Sequence, residues 1–117
     1  MTQEEKQLLL KDLCARLPYN VVIRCMDNDT DYKCFLTTDI LNELLHNIEY
    51  YDYKPYLRPM SSMTEEENTK YEYGFLYSND LQIYAEEYID WLNEHHFDYR
   101  GLIEKSLAIV APEGMYD

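Results

Sequence analysis

Asn20-Val21-Val22-Ile23-Arg24-Cys25-Met26, and a little further on Tyr32-Lys33-Cys34-Phe35-Leu36-Thr37, are the stretches whose reading decides the fold. The first is β-branched at its centre. The second alternates less cleanly but has strand composition. Between them Asp27-Asn28-Asp29-Thr30-Asp31 is dense in turn formers. An antiparallel hairpin over about 20–37 is therefore expected. Its acidic tip lacks the glycine and the later bidentate Glu of an EF-hand loop, and no helix flanks it, so it reads as a solvated turn rather than a calcium site.

Helical patterns lie on both sides of this hairpin. Upstream, Thr2-Gln3-Glu4-Glu5 reads as a capping box. Leu9, Leu10, Leu13, Cys14 and Leu17 then recur at helical spacing, and Pro18 stops the helix, predicted over Gln3 to Leu17. Downstream, Ile40, Leu41, Leu44, Leu45 and Ile48 fit a helix capped by Thr38 or Asp39, although residues 39–48 leave strand open as well. Ile48 to Tyr53 alternates as an extended segment would. Pro55 and Pro59 force Tyr56-Leu57-Arg58 to be extended or turned. A second capping box, Thr64-Glu65-Glu66-Glu67, opens a helix expected over about 65–77. Asn79 or Asp80 opens another over about 81–95, with Leu81, Tyr84, Ala85, Tyr88, Ile89, Trp91 and Leu92 as its apolar stripe. Asp98 is placed to cap a short helix near 99–105. Ala108-Ile109-Val110-Ala111-Pro112 reads as an extended docking segment. The fold class is α+β: a small antiparallel sheet covered by helices.

At 117 residues the chain is expected to form a single globular domain over 1–117. Its 23 acids against 10 Lys and Arg give a net charge of −13, and 13 tyrosines raise the aromatic content to 15%, too aromatic for a disordered acidic tail. No apolar run approaches the roughly 20 residues of a membrane-spanning helix. The negative sign disfavours direct nucleic-acid binding. Cys14, Cys25 and Cys34 form no C-x-x-C pair, and no secretory signal precedes them. Three reduced, buried thiols in a bacterial cytoplasm are expected, although a Cys25–Cys34 bridge across the hairpin is geometrically conceivable.

Three short constellations could carry chemistry. His95-His96-Phe97-Asp98 offers two imidazoles and a carboxylate. Neighbouring residues point to different helix faces, however, so they read as structural and no metal or cofactor is expected. Asp98-Tyr99-Arg100-Gly101 reads first as a cap and an Arg–acid pair, and second as a ligand site. Tyr56, Arg58 and the Ser61-Ser62 pair could meet an anion, but Glu65, Glu66 and Glu67 would repel it. Tyr56, Arg58, His95, His96, Asp98, Tyr99 and Arg100 are accordingly the candidate ligand-binding residues, and none is nominated as catalytic.

Charge distribution is more informative. From Thr64 to Asp98 ten acids face only Lys70. Glu86, Glu87, Asp90 and Glu94, interleaved with tyrosines, make a candidate acidic face for a protein partner with a basic patch. The plain alternative is a solvating surface.

Tyr56-Leu57-Arg58-Pro59-Met60-Ser61-Ser62-Met63-Thr64-Glu65-Glu66-Glu67 resembles a block found in a family of small proteins from gut Bacteroidetes and their phages. So do His95-His96-Phe97-Asp98-Tyr99-Arg100-Gly101-Leu102-Ile103-Glu104-Lys105 and Ala111-Pro112-Glu113-Gly114-Met115-Tyr116. The resemblance implies a mobile-element setting and carries over no reaction, cofactor or catalytic residue. Together these readings point to a small acidic non-enzymatic binding protein, a phage or prophage accessory. An acidic mimic that blocks a DNA- or RNA-handling protein is the first alternative. A small-ligand binder or enzyme using Arg58, Arg100, His95 and His96 is the second.

Overall fold

A computed structural model describes residues 2–27, 30–47, 53–69 and 81–116. Helix α1 spans Gln3–Arg16. Its capping box is formed in both directions: the Thr2 hydroxyl accepts from the Glu5 amide, and the Glu5 carboxylate accepts from the Thr2 amide, each at 3.0 Å. The Thr2 amide, with its hydroxyl, holds the Glu5 carboxyl below its ordinary value. The helix stops one residue short of expectation. Leu17–Tyr19 tighten into a 3₁₀ turn around Pro18, which Asn20 closes in the left-handed region at φ 56°.

The hairpin forms as β1 (Val22–Asp27) and β2 (Thr30–Phe35), with Ile23 opposite Cys34 and Cys25 opposite Tyr32. Residues 38–47, ambiguous in sequence, are helical: α2 spans Thr38–Asn47, and its amide cap is the Thr37 hydroxyl, bonded to Ile40 N–H at 3.3 Å. That places the cap one residue before Thr38 and two before Asp39. The extended reading of residues 48–52 lies outside the described residues.

The Pro55–Pro59 segment proves to be the strand that joins the rest of the sheet. β3 (Lys54–Pro59) runs antiparallel to β1, while β4 (Phe97–Asp98) and β5 (Ile109–Val110) both pair with it in parallel. The strand order is β2-β1-β3-β4, with β5 also on β3. The sheet is therefore mixed, not purely antiparallel as expected. Leu36 N–H donates to Val21 C=O, so alternation turns the backbone groups of Ile23 toward β2. Pro55 sits opposite Ile23, where β1 offers β3 no ladder bond, and the missing proline N–H costs nothing there.

Leu9 and Leu13 of α1, Leu44 of α2, Val21, Ile23, Cys25, Leu36, Tyr53, Leu57, Leu102, Leu107 and Ala108 form one core. Lys6 Nζ donates to Leu45 C=O at 3.2 Å and ties α1 to α2. The Tyr53 hydroxyl donates to Glu43, and burial, then that carboxylate, raises its pKa. Helix α3 is described over residues 65–69, and its expected continuation to 77 lies outside the described residues. Its capping box is present, with Glu67 N–H on the Thr64 hydroxyl and Thr64 N–H on the Glu67 carboxylate. α4 spans Leu81–Glu94, close to the predicted 81–95.

Three expectations need correction. The short helix near 99–105 is a run of turns over residues 102–106. Gly101 at φ 75° and Ser106 at φ 59° hold left-handed backbone at either end, which no α-helix accommodates. Cys14 is exposed rather than buried, since it lies off the Leu9–Leu13 face. Cys25 and Cys34 are free thiols with sulfurs 2.9 Å apart, and burial, then this contact, pushes the Cys25 thiol up to about 12. Among the described residues no helix is long and apolar enough to cross a membrane.

Candidate functional site

The residues after α4 do not gather around a common point; they fan out into separate structural contacts. His95 packs its ring on Trp91, four residues back, at 4.5 Å. His96 turns the other way through a left-handed backbone (φ 64°) and is 8% exposed. Its ring stacks on Tyr116, its C=O accepts from Arg58 N–H at 2.7 Å, and its Nδ1 is buried with no hydrogen-bond partner. Burial, then the nearby Arg16, His95 and Arg58, lowers its pKa to about 4, so the ring is neutral at pH 7. The i, i+1 divergence foreseen in the sequence separates the two imidazoles. Among the described residues no three His, Cys, Asp or Glu side chains are placed to hold a metal.

Asp98 caps, but it caps a turn. Its carboxylate accepts from Leu102 N–H at 2.9 Å and Ile103 N–H at 3.0 Å. Tyr99 donates to Asn93 Oδ1 at 3.0 Å, and the Arg100 guanidinium lies over its ring. Arg100 also donates to Asp12 Oδ1 at 2.8 Å. That carboxylate is fully buried and carries a second guanidinium: Arg16 donates to both of its oxygens and, at 2.6 Å, to Phe97 C=O. Asp12 and Arg16 escaped the sequence reading because both look like wet-face residues of α1. Their i, i+4 spacing was the available signal.

Arg58 is likewise committed. It forms a two-pronged pair with Glu67 at 2.8 and 3.1 Å and covers the Phe97 ring at 4.1 Å. The guanidinium holds the Glu67 carboxyl down at about 2. Tyr56 is 7% exposed, beneath the Lys33 ammonium. An open cleft of about 430 Å³ brings Arg58, Ser62, Thr64, Glu113 and Tyr116 together. It takes neither His95, His96, Asp98 nor Arg100 into its lining. The candidate ligand residues are thus divided between a buried ion-pair cluster and a cleft whose one cation is neutralised.

The acidic face is arranged differently. Glu86, Glu87, Asp90 and Glu94 are all exposed on α4 and form no salt bridge among the described residues. Two of the ten acids counted between Thr64 and Asp98 do not belong to it, because Glu67 is paired with Arg58 and Asp98 is a buried cap. Glu72 and Asp80 lie outside the described residues. Within the face, Ile89 is 39% exposed and lines a shallow depression with Ala85, Glu86 and Asp90. A neighbouring depression is lined by Met60, Met63, Asn68 and Tyr88, so α3 borders α4 there. The sequence reading had placed Ile89 on the buried stripe. No protein-family model, curated protein or solved structure matches the chain.

Proposed function

We propose that this is a small acidic binding protein that acts without catalysis, presenting the outer face of α4 to a basic patch on a protein partner. The observation that carries the reading is the pairing state of the charges. Every arginine named as a candidate ligand residue has a carboxylate partner, whereas Glu86, Glu87, Asp90 and Glu94 have none among the described residues and surround an exposed isoleucine. Unpaired charge around a small apolar centre is what a complementary basic surface recognises. A phage or prophage accessory role in a bacterial cytoplasm is the setting we propose, on the strength of the two sequence blocks and the free thiols. The test is affinity capture from bacterial lysate with wild type and with a variant carrying Glu86→Gln, Glu87→Gln, Asp90→Asn and Glu94→Gln. A partner held by wild type and lost by the variant supports the reading; identical captured proteins overturn it. A captured DNA- or RNA-handling protein, displaced by nucleic acid, would make the same face a mimic.

A further inference from the structure

We infer that β2 is a self-recognition edge, through which two copies of this chain pair antiparallel about a twofold axis at Tyr32. β2 is the terminal strand of the sheet, and five of its six residues are exposed, Phe35 at 61% and Tyr32 at 46%. An edge strand of this length with exposed aromatics is a template for another strand unless something blocks it. Nothing in Thr30–Phe35 blocks it: there is no proline, no glycine and no inward charge.

The register follows from the ladder already present. Leu36 N–H donates to Val21 C=O. By alternation the backbone groups of Leu36, Cys34, Tyr32 and Thr30 face β1, and those of Asp31, Lys33 and Phe35 face the open edge. A second copy can therefore bond only in registers that set outward-facing residues against one another. The register centred on Tyr32 places Asp31 of each copy opposite Lys33 of the other, with four backbone bonds between them. The two Tyr32 residues meet as the close, non-bonded pair on the axis. Moving the centre by one residue places Lys33 against Lys33 or Asp31 against Asp31, which is unfavourable. The strand is thus self-complementary in one register and self-repelling in the two beside it. Such an isologous contact closes as a dimer and propagates no further.

The test is sedimentation velocity over a concentration series, in salt high enough to screen the mutual repulsion of two chains of −13. Wild type is expected to show a reversible dimer. Lys33→Asp and Asp31→Lys should each dissociate it, weakening association roughly tenfold or more, because two attractive cross-strand pairs become two repulsive ones. The two substitutions move the net charge in opposite directions, so net charge cannot explain a loss common to both. The double variant, Asp31→Lys with Lys33→Asp, should restore the dimer. So should an equimolar mixture of the two single variants, as a heterodimer. Both positions are exposed, and circular dichroism melts establish that each variant is folded. A monomeric wild type, a dimer indifferent to the single reversals, or a double variant that stays monomeric would each overturn the inference.

Discussion

The imidazole of His96 lies stacked on the phenol ring of Tyr116, with centroids 3.7 Å apart and planes 19° from parallel. The stack buries a titratable ring beside Arg16 and Arg58 and lowers its pKa from 6.5 to about 4. In the unfolded chain His96 binds a proton below about pH 6.5; in the fold it stays neutral until about pH 4. Between those values the unfolded state holds the extra proton, so stability falls as pH falls. The contribution is complete above pH 6.5 and amounts to roughly 3 kcal/mol lost by pH 4. Urea melts at pH 7 and pH 4.5 should show this loss in wild type and a much smaller one in His96→Asn, since asparagine tolerates the left-handed backbone without titrating. Equal losses in both proteins would remove His96 as the cause. Glu67 acts in a lower window, its stabilisation disappearing only as pH falls from 4.5 toward 2.

Tyr116 also closes a gap in the sheet. β1 and β3 pair at Ile23–Pro55 and then part, so Val22 and Tyr56 face one another without a direct bond. The Tyr116 hydroxyl fills the interval, accepting from Val22 N–H at 2.9 Å and donating to Tyr56 C=O at 2.6 Å. Tyr116→Phe keeps the ring on His96 but leaves two backbone groups unmet. We expect a cost of about 1–3 kcal/mol in denaturant melts, with hydrogen exchange at Val22 accelerating. No change in either would show that solvent replaces the hydroxyl freely.

The hairpin, α1 and α4 were legible because each announces itself locally: Thr2 and Glu5 bracket a helix start, and Val21 to Ile23 are β-branched. α2 was half legible, its Ile40–Leu44–Leu45 spacing competing with a possible strand. β3 was hidden because Pro55 and Pro59 argue against a strand, and only the register against Ile23 shows why they are tolerated. β4 is two residues long and has no period to detect. The absent helix near 99–105 fails on the left-handed backbone of Gly101 and Ser106, which propensity does not report. At the candidate site, the reading of Asp98 as a cap and Arg100 as an ion pair was available from residue type. The partner of Arg100 was not, since Asp12 is 88 residues away in sequence.

The Asp12–Arg16–Arg100 cluster predicts an asymmetry. Asp12 and Arg16 are fully buried, whereas the Arg100 side chain is 17% exposed. Asp12→Ala leaves the Arg16 guanidinium buried without its carboxylate and should cost about 3–5 kcal/mol. Arg100→Ala leaves the inner pair intact and should cost about 1 kcal/mol. Comparable losses from the two, measured by chemical denaturation, would show that the pair behaves as a surface interaction.

The acidic face of α4 predicts a separation between stability and binding. Glu86, Glu87, Asp90 and Glu94 are exposed and unpaired among the described residues, so their neutralisation removes repulsion without opening the core. Each substitution should change stability by less than about 0.5 kcal/mol. A basic partner steered by this face should associate more slowly as salt rises, because exposed charges are screened over about 8 Å at physiological ionic strength. In the neutralised variant the association rate should be lower and nearly independent of salt. Net charge alone could imitate part of that effect. A matched control neutralises Glu4, Asp39, Glu104 and Glu113, all exposed and none on α4. If the face is the recognition surface, this control keeps wild-type affinity and most of the salt dependence, as read by surface plasmon resonance. If the control and the α4 variant lose binding equally, the effect belongs to the total charge of −13 and not to the helix face.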